Sequence, residues 1–471
     1  MQIRSARFKE LASEKLADPN LFKALSSLRG LMVTGRARVI RELDNFEEMR
    51  DAAQEVRDSA LEHLDFLLEE FERNATARGA KVHWAEDSQQ MNQIVLDIAQ
   101  RAGVRKVIKS KSMLGEESGL NEFLGRGGIE VRETDLGEYI IQESGDTPSH
   151  IIGPAIHKTR EEVSQLFEER HRLPRKTDIR ELTREAREVL RPHFLTADMG
   201  ITGANFLVAS TGTTVIVTNE GNGRMTTTLP RVHVAIAGIE KVLPTLEDVS
   251  FILRLLTRSA TGQSISNYLT FTTGTRLAGD HDGPDEFHII IVDAGRTRVL
   301  GSDLRPALRC IRCGACMNHC PVYQNIGGHP YGWVYPGPIG SVLTPAYLGL
   351  DQALDLPNAA TMCNQCGVVC PVKIPLPDLM RKLRERQIER KLRPWSERTA
   401  IKLWAWAAAR PALYGLGARI AARLGKWLGG RDGMLHRLPA AGGGWTAERD
   451  FPAPAGKTFR EMYAAREAKR H

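Results

Sequence analysis

The chain has 471 residues, of which 42% are hydrophobic, and this is enough apolar material for two or more folded domains. Its 64 basic residues face 57 acidic ones, and this mild excess of positive charge does not indicate a nucleic-acid-binding protein. No apolar run is long enough to span a membrane, and residues 1–10 lack the apolar core of a signal peptide. The sequence therefore predicts a cytoplasmic protein.

Residues 1–75 have the pattern of an N-terminal helical region. The stretch from Phe46 to Arg73 carries apolar residues at helical spacing among charges and contains no Pro or Gly. It predicts one amphipathic helix that packs on the rest of the protein.

From residue 76 to residue 300 the pattern is that of an α/β domain, because short apolar runs alternate with amphipathic stretches. This alternation predicts a largely parallel sheet flanked by helices. Strands are expected at residues 82–84, 107–108, 129–132, 138–142, 232–237 and 288–292, with helices at 91–102, 160–193 and 246–258. The helix that follows Ser110 should start at the carboxyl edge of the sheet, where α/β proteins bind their ligands.

The centre of this domain is rich in Gly and Thr. Residues 206–218 predict a hairpin with a turn at 210–213, and residues 219–224 predict a loop after it. Glycine allows close backbone approach, and Ser, Thr and Arg donate hydrogen bonds to anions, so these two turns predict a site for a small carboxylate. An ordinary hairpin turn is an equal alternative, since neither a Walker A loop nor a dinucleotide fingerprint is present. The candidate substrate residues are Ser210, Thr211, Thr213, Asn222 and Arg224.

All seven cysteines lie between Cys310 and Cys370, in two groups that each end in Cys-Pro. The first group has the spacing of bacterial ferredoxins, in which three thiolates bind one cubane cluster and the fourth reaches a second cluster. This pattern predicts a crossed assignment of ligands over residues 301–393. Cluster 1 is assigned Cys310, Cys313, Cys316 and Cys370, and cluster 2 is assigned Cys320, Cys363 and Cys366.

Cluster 2 is one thiolate short, because Ala360 stands where a complete second group would have a cysteine. It either takes a fourth ligand that is not a cysteine, exposes an iron, or lacks that iron as a [3Fe-4S] cluster. Structural zinc and disulfides are weaker alternatives, since zinc needs four ligands per site and the number of cysteines is odd. The Gly- and Pro-rich residues 327–340 predict an ordered loop that shields a cluster, and residues 376–392 predict a helix.

The tail, residues 394–471, is distinct. Residues 398–431 contain seven basic residues, no acidic residue and three tryptophans, and they predict a basic amphipathic helix. Such a helix docks on a partner subunit, folds back on its own domain, or contacts an anionic membrane surface. Membrane contact would place the protein peripherally at the inner membrane face. Residues 439–457 predict an extended linker.

With these motifs in place, the sequence resembles the LutB/LldF family, the iron–sulfur subunits of bacterial L-lactate utilisation complexes. The resemblance is carried by residues 309–316, by Gly337-Pro338-Ile339-Gly340, and by residues 211–224, which look like the lactate-utilisation (LUD) domain. It implies a LUD domain with a NagB/RpiA/CoA-transferase-like fold, followed by an α-helical ferredoxin-type module that holds two [4Fe-4S] clusters. It also implies LutA-like and LutC-like partner subunits and the oxidation of L-lactate to pyruvate.

No flavin or nicotinamide motif is present, so electron relay is the step that this chain can supply alone; the sequence does not identify the downstream acceptor. Two alternatives stay open. One is a scaffold or redox-sensing subunit whose partners perform catalysis. The other is an enzyme of the CoA-transferase or isomerase kind, with Glu220 as its carboxylate.

Overall fold

The structure is a computed structural model, and it describes residues 3–266, 268–438, 440–446 and 449–469. The chain divides into two compact units, Met1–Gln387 and Ile388–His471. The helical N-terminus, the α/β region and the cysteine region therefore share one unit. Among the described residues, every helix is too short or too polar to traverse a bilayer.

The N-terminal region is helical, as predicted. Its helices are α1 (Phe8–Leu16), α2 (Pro19–Leu28), α3 (Gly35–Ile40), α4 (Phe46–Glu62) and α5 (Leu64–Ala77). The prediction of one continuous helix from Phe46 to Arg73 is wrong, because the backbone of His63 leaves the helical region (φ −107°, ψ 33°). Because of the break, α4 and α5 each bury their own apolar stripe. The two stripes of a single straight helix could not both face the core.

The predicted parallel sheet is confirmed. The strands of the α/β region are β1 (Ala80–Ala85), β2 (Lys106–Ser110), β3 (Glu130–Glu133), β4 (Met199–Gly203), β5 (Phe206–Val208), β6 (Thr213–Thr218), β7 (Val232–Gly238), β8 (Val242–Leu243), β9 (Tyr268–Thr272) and β10 (Glu286–Val292). Six of them form a parallel sheet in the order β1-β10-β7-β4-β2-β3. Strands β7 and β10 are the most buried, which explains their continuous apolar runs.

Helices cover both faces of this sheet. They are α6 (Ser88–Arg101), α7 (Met113–Ser118), α8 (Leu120–Arg126), α9 (Leu136–Ser144), α10 (Arg160–His171), α11 (Ile179–Thr196), α12 (Asn222–Thr228), α13 (Leu246–Thr261) and α14 (Arg296–Leu300). One core contains Met91, Val95 and Leu124 from α6 and α8. A second core, around Tyr139 and Phe167, joins α9, α10 and α11. In α/β proteins with helices on both faces of the sheet, ligands bind at the carboxyl ends of the strands.

Two local predictions in this region are wrong. Residues 138–142 were expected to form a strand but lie in α9, because the Asp135 side chain accepts a hydrogen bond from the Gly137 N–H and caps the helix. Residues 219–224 were expected to form a loop, yet α12 begins at Asn222. The predicted hairpin is confirmed, since β5 and β6 pair antiparallel within a second sheet of order β8-β5-β6-β9.

The cysteine region is built from short helices: α15 (Ala315–Asn318), α16 (Tyr323–Ile326), α17 (Gly337–Leu348), α18 (Gln365–Val368) and α19 (Leu376–Glu389). Gly337-Pro338-Ile339-Gly340, expected in a loop, forms the first turn of α17, where a proline at the start of a helix costs no hydrogen bond. The buried Arg57 of α4 donates hydrogen bonds to the carbonyls of Glu240 (2.5 Å) and Leu308 (2.9 Å). It thereby ties the N-terminal helices to both the sheet and the cysteine region.

The second unit contains α20 (Trp395–Ala408), α21 (Pro411–Leu428) and α22 (Phe459–Glu467), together with the antiparallel pair β11 (Met434–Leu435) and β12 (Phe451–Pro452). The predicted basic segment forms two helices, because Pro411 starts a new one. Trp404, Trp406 and Trp427 are each more than half exposed. Pro439 and residues 447–448 of the predicted linker lie outside the described residues.

Candidate functional site

Four cysteines line one small cavity in the cysteine region. They are Cys310, Cys313, Cys316 and Cys370. Cys310 and Cys313 come from the turn before α15, Cys316 lies in its first turn, and Cys370 comes from the end of the second group. The cavity therefore brings together segments that are far apart in the sequence. This is the set that the ferredoxin spacing predicts for cluster 1.

The remaining three cysteines form a second set. Burial, followed by the neighbouring Cys320 and Cys363, raises the pKa of Cys366 to about 12. Burial also raises the pKa of Cys320, and among the cysteines Cys363 adds to this effect. These three sulfurs thus lie close enough to interact, as the predicted set for cluster 2 requires. Cys363 is exposed, so this set reaches the protein surface.

Backbone N–H groups point at the sulfurs. The Arg312 N–H donates to Cys310 Sγ (3.4 Å), and the Ile374 N–H donates to Cys370 Sγ (3.3 Å). The Ile339 N–H, in the first turn of α17, donates to Cys316. Such donors stabilise thiolates and tune the potentials of iron–sulfur clusters. They give the Gly337–Gly340 turn a function in the site.

The chain bends around each pair of cysteines through left-handed residues. Arg312 (φ 61°) and Gly314 (φ 73°) flank Cys313, and Met362 (φ 57°) and Asn364 (φ 66°) flank Cys363. Non-glycine residues adopt this region at a cost, and such strain is typical of functional sites. The thiol sets, the N–H donors and these bends together fit iron–sulfur clusters as bound groups.

The second set has three cysteines and no fourth. Ala360 supplies no donor side chain, and its carbonyl accepts a hydrogen bond from Arg384 (3.3 Å). The Tyr331 hydroxyl is buried and has no hydrogen-bond partner among the described residues. Burial, followed by Cys320, raises the pKa of Tyr331 well above its usual range. This hydroxyl therefore lies near the incomplete set.

A cleft of about 160 Å³ lies at the carboxyl edge of the parallel sheet. Its floor is formed where β2, β4 and β7 end, at Lys111, Gly203 and Gly238. Its opposite wall comes from the cysteine region, and Arg312 and Ile151 line both this cleft and the four-cysteine cavity. These two side chains therefore lie between the cleft and the four-cysteine cavity.

A buried ionic group connects the sheet edge to the cysteine region. Glu240 follows β7, and its carboxylate pairs with Arg296 Nε (2.9 Å) and Arg312 Nη2 (3.5 Å). Arg296 also pairs with Glu117 (3.1 Å), which accepts a hydrogen bond from the Tyr335 hydroxyl (2.6 Å). Burial alone would raise the pKa of Glu240, but Arg296 and its cationic neighbours lower it to about 2.

The five residues predicted to bind substrate lie outside this cleft. The 210–213 turn packs on α5, where a Cβ at Gly212 would come within 2.2 Å of the Ala75 nitrogen. The 219–224 segment lies at the other end of β6, so the two turns are separated by a six-residue strand, about 20 Å, and cannot share one ligand. Asn222 is buried and Arg224 is exposed on α12. Of the predicted loop, Asn219 lines the cleft.

Three charged residues that line the cleft and join it to the cysteine region were not predicted from the sequence, namely Glu240, Arg296 and Arg312. Glu240 could have been found, since it comes just after a predicted buried strand and thus at the carboxyl edge of the sheet. Arg312 lies between Cys310 and Cys313, and the cysteine spacing around it gives no sign that its side chain reaches the cleft. Arg296 gives no local signal, because it reaches the cleft only through the fold.

Glu240→Gln should lower the free energy of unfolding by about 3 kcal/mol at pH 7, because it leaves the buried Arg312 without its carboxylate and Arg296 with Glu117 alone. The fall in the pKa of Glu240 from 4.5 to about 2 corresponds to a contribution of the same size. That contribution is complete above about pH 4.5 and is lost as the pH falls through 2. Denaturant unfolding of both proteins between pH 7 and 2 measures it.

Glu220→Gln is the matched control. Burial raises the pKa of Glu220, so its ionised form contributes no comparable stability, and its side-chain oxygen can still accept the Leu136 N–H. Equal stability of the Glu240→Gln variant and the wild-type protein at pH 7 would contradict this account of the ionic group.

Comparison with protein families assigns three regions of the chain. Residues 68–292 match the LUD domain, residues 306–374 match the 4Fe-4S dicluster domain, and residues 380–468 match the C-terminal domain of lactate utilisation protein B. The cleft lies between the first two regions, and the cysteine sets lie in the second.

Full-length relatives agree with this assignment. The chain is 42% identical to lactate utilization protein B of Bacillus velezensis over 470 residues, which cover 99% of this chain and 98% of the relative. The corresponding protein of Bacillus subtilis gives the same identity and coverage. An Escherichia coli protein described as an uncharacterized electron transport protein, YkgF, is 42% identical over 98% of this chain and 97% of its own length. The chain therefore belongs to the lactate utilization protein B family.

Proposed function

We propose that this chain is the iron–sulfur electron-transfer subunit of an assembly that oxidises L-lactate to pyruvate, together with LutA-like and LutC-like subunits. The observation that carries the proposal is the position of the four-cysteine set, which shares Arg312 and Ile151 with the cleft at the edge of the sheet. A redox group placed there lies next to a compartment sized for a small molecule. The names of the relatives support lactate utilisation as the process.

In this proposal the ligands are crossed between the two cysteine groups. Cluster 1 is held by Cys310, Cys313, Cys316 and Cys370, and cluster 2 by Cys320, Cys363 and Cys366. Such clusters exchange single electrons when bound. The protein supplies thiolates, N–H donors to the sulfurs, and a largely buried surrounding for the first set.

The two cluster positions suggest a direction of transfer. Cluster 1 lies beside the cleft, whereas cluster 2 includes the exposed Cys363. Cluster 2 is thus the exit toward a downstream acceptor. We also propose that the LUD domain shares the NagB/RpiA/CoA-transferase-like fold and that the exposed tryptophans of α20 and α21 dock a companion subunit.

The CoA-transferase alternative receives no support from Glu220. Its carboxylate accepts a hydrogen bond from the Leu136 N–H at the start of α9 (3.2 Å) and does not line the cleft. The scaffold or redox-sensor alternative differs in one measurable respect, because its clusters would not receive electrons from lactate.

The test of the proposed function is reduction of the clusters by substrate. The chain is purified anaerobically together with its LutA-like and LutC-like partners and is mixed with L-lactate in an EPR experiment. We expect the signal of reduced clusters to appear with the assembly and not with this chain alone. Oxidation of lactate by the assembly with an artificial acceptor, while the clusters stay oxidised, would favour the scaffold alternative.

The crossed assignment makes a separate prediction. Cys370→Ser should damage cluster 1 and spare cluster 2, since Cys370 lines the cavity of the first group. Cys320→Ser should damage cluster 2 and spare cluster 1, since its sulfur interacts with Cys363. Mössbauer and EPR spectra of the two variants distinguish the clusters. If each substitution instead damages the cluster of its own sequence group, Cys363 and Cys366 for Cys370→Ser and the first three cysteines for Cys320→Ser, the ligands are not crossed.

A further inference from the structure

Most charges that line the cleft are already paired. Lys111 pairs with Asp135 (3.2 Å), and Glu116 pairs with the buried Lys109 (2.8 Å). Arg296 lies between Glu117 and Glu240, as described above. These ion pairs neutralise most of the charge of the groups, so the paired groups contribute little to the binding of a charged ligand.

Two basic groups of the cleft are different. Arg312 Nη1 is buried and has no hydrogen-bond partner among the described residues, although Nη2 of the same side chain contacts Glu240. Lys241, the next residue after Glu240, also lines the cleft, and no hydrogen bond or short ion pair of its amine is found within the described part of the chain. Burial, followed by Arg312, lowers the pKa of this amine to about 7, whereas Glu240 favours its charged form. A buried donor without an acceptor is destabilising, so an unpaired guanidinium nitrogen calls for a ligand.

Arg312 is held in place and cannot escape to solvent. Its side chain is 10% exposed, and its guanidinium carbon lies 4.6 Å from the centre of the Tyr335 ring. Its backbone is fixed by the N–H bond to Cys310 Sγ. The free Nη1 is thus a preorganised donor directly beside the first cysteine set.

The size of the cleft and its other lining residues indicate what else the ligand contains. The cleft is smaller than the roughly 300 Å³ at which pockets for drug-sized molecules begin, so its ligand has few carbon atoms. Apolar side chains such as Ile151, Leu256 and Val334 face it. A small anion with an apolar part fits these walls better than a bare inorganic anion.

We propose that the cleft binds the carboxylate of a small 2-hydroxy or 2-oxo monocarboxylic acid, with Arg312 Nη1 and the Lys241 amine as its anchors. This proposal rests on the proposed function, because lactate and pyruvate are the acids of this class that the assembly would handle. It places their binding on this chain, between the LUD sheet edge and the first cysteine set.

The test is equilibrium binding to the full-length, cluster-loaded chain under anaerobic conditions. Calorimetric titration with L-lactate and with pyruvate should give dissociation constants at or below about 1 mM, in the range usual for enzyme substrates. Lys241→Met keeps the length of the side chain and removes its amine, and it should weaken binding at least tenfold. Iron content and dithionite-reduced EPR spectra should not change, because Lys241 is not a cluster ligand.

Arg224→Met is the matched control, since Arg224 is an exposed cation outside the cleft, and it should bind both acids as the wild type does. Arg312→Lys is a second variant that retains the charge but loses Nη1, and it should also weaken binding while iron content is checked in parallel. Inorganic phosphate is the competitor probe. Binding of phosphate as tight as that of pyruvate would overturn the assignment to monocarboxylates.

The outcomes separate this proposal from the proposed function. If the wild-type chain binds neither acid, or if Lys241→Met binds as tightly as wild type, the cleft is not the acid site. Lactate-driven cluster reduction in the assembly could then still occur, with the substrate on a companion subunit. If the chain binds the acids in the cleft but the clusters never receive electrons from lactate, the proposed function fails and the binding site remains.

Discussion

The pairing of Glu240 with Arg296 and Arg312 is the interaction on which the arrangement of the site depends. It lies where β7 ends and joins the sheet edge to the turn that carries the first cysteines. Because all three side chains are nearly inaccessible to water, losing one partner leaves charge uncompensated, and the geometry is strongly specified. Gly238 allows this approach, since a Cβ there would lie 2.1 Å from the Glu240 carboxylate.

The N-terminal helices hold the second cysteine group against the first. Arg50 of α4 donates to the Cys370 carbonyl (3.0 Å), and Arg36 of α3 donates to the Val369 carbonyl (2.9 Å). Arg309, next to Cys310, donates from Nε and Nη2 to the two carboxylate oxygens of Asp58 of α4 (2.6 and 2.7 Å). A helical region with no cysteine of its own therefore fixes the distance between the two segments that must share a cluster.

The parallel sheet and the two cysteine sets could be predicted from the sequence because their signals are local. β10 is a run of β-branched residues, and the cysteine spacing is set by the geometry of one turn. The prediction of a strand at 138–142 is wrong because the side chain of Asp135 caps a helix that includes these residues. The position of the two candidate binding turns could not be predicted for a different reason, since composition shows which turns can bind an anion but not which turns meet in space. Arg312 and Lys241 come together only through the β7 edge and the cysteine turn.

The claim central to this account is that each of the two metal centres is bound by cysteines from both groups, and that one centre lies beside the cleft. Anomalous diffraction at the iron absorption edge, from crystals of the anaerobically purified protein, tests it most directly. The account predicts two separate iron peaks, one enclosed by Cys310, Cys313, Cys316 and Cys370, and the other beside Cys320, Cys363 and Cys366. A single peak, or a peak enclosed by the four cysteines of the first group alone, would contradict it.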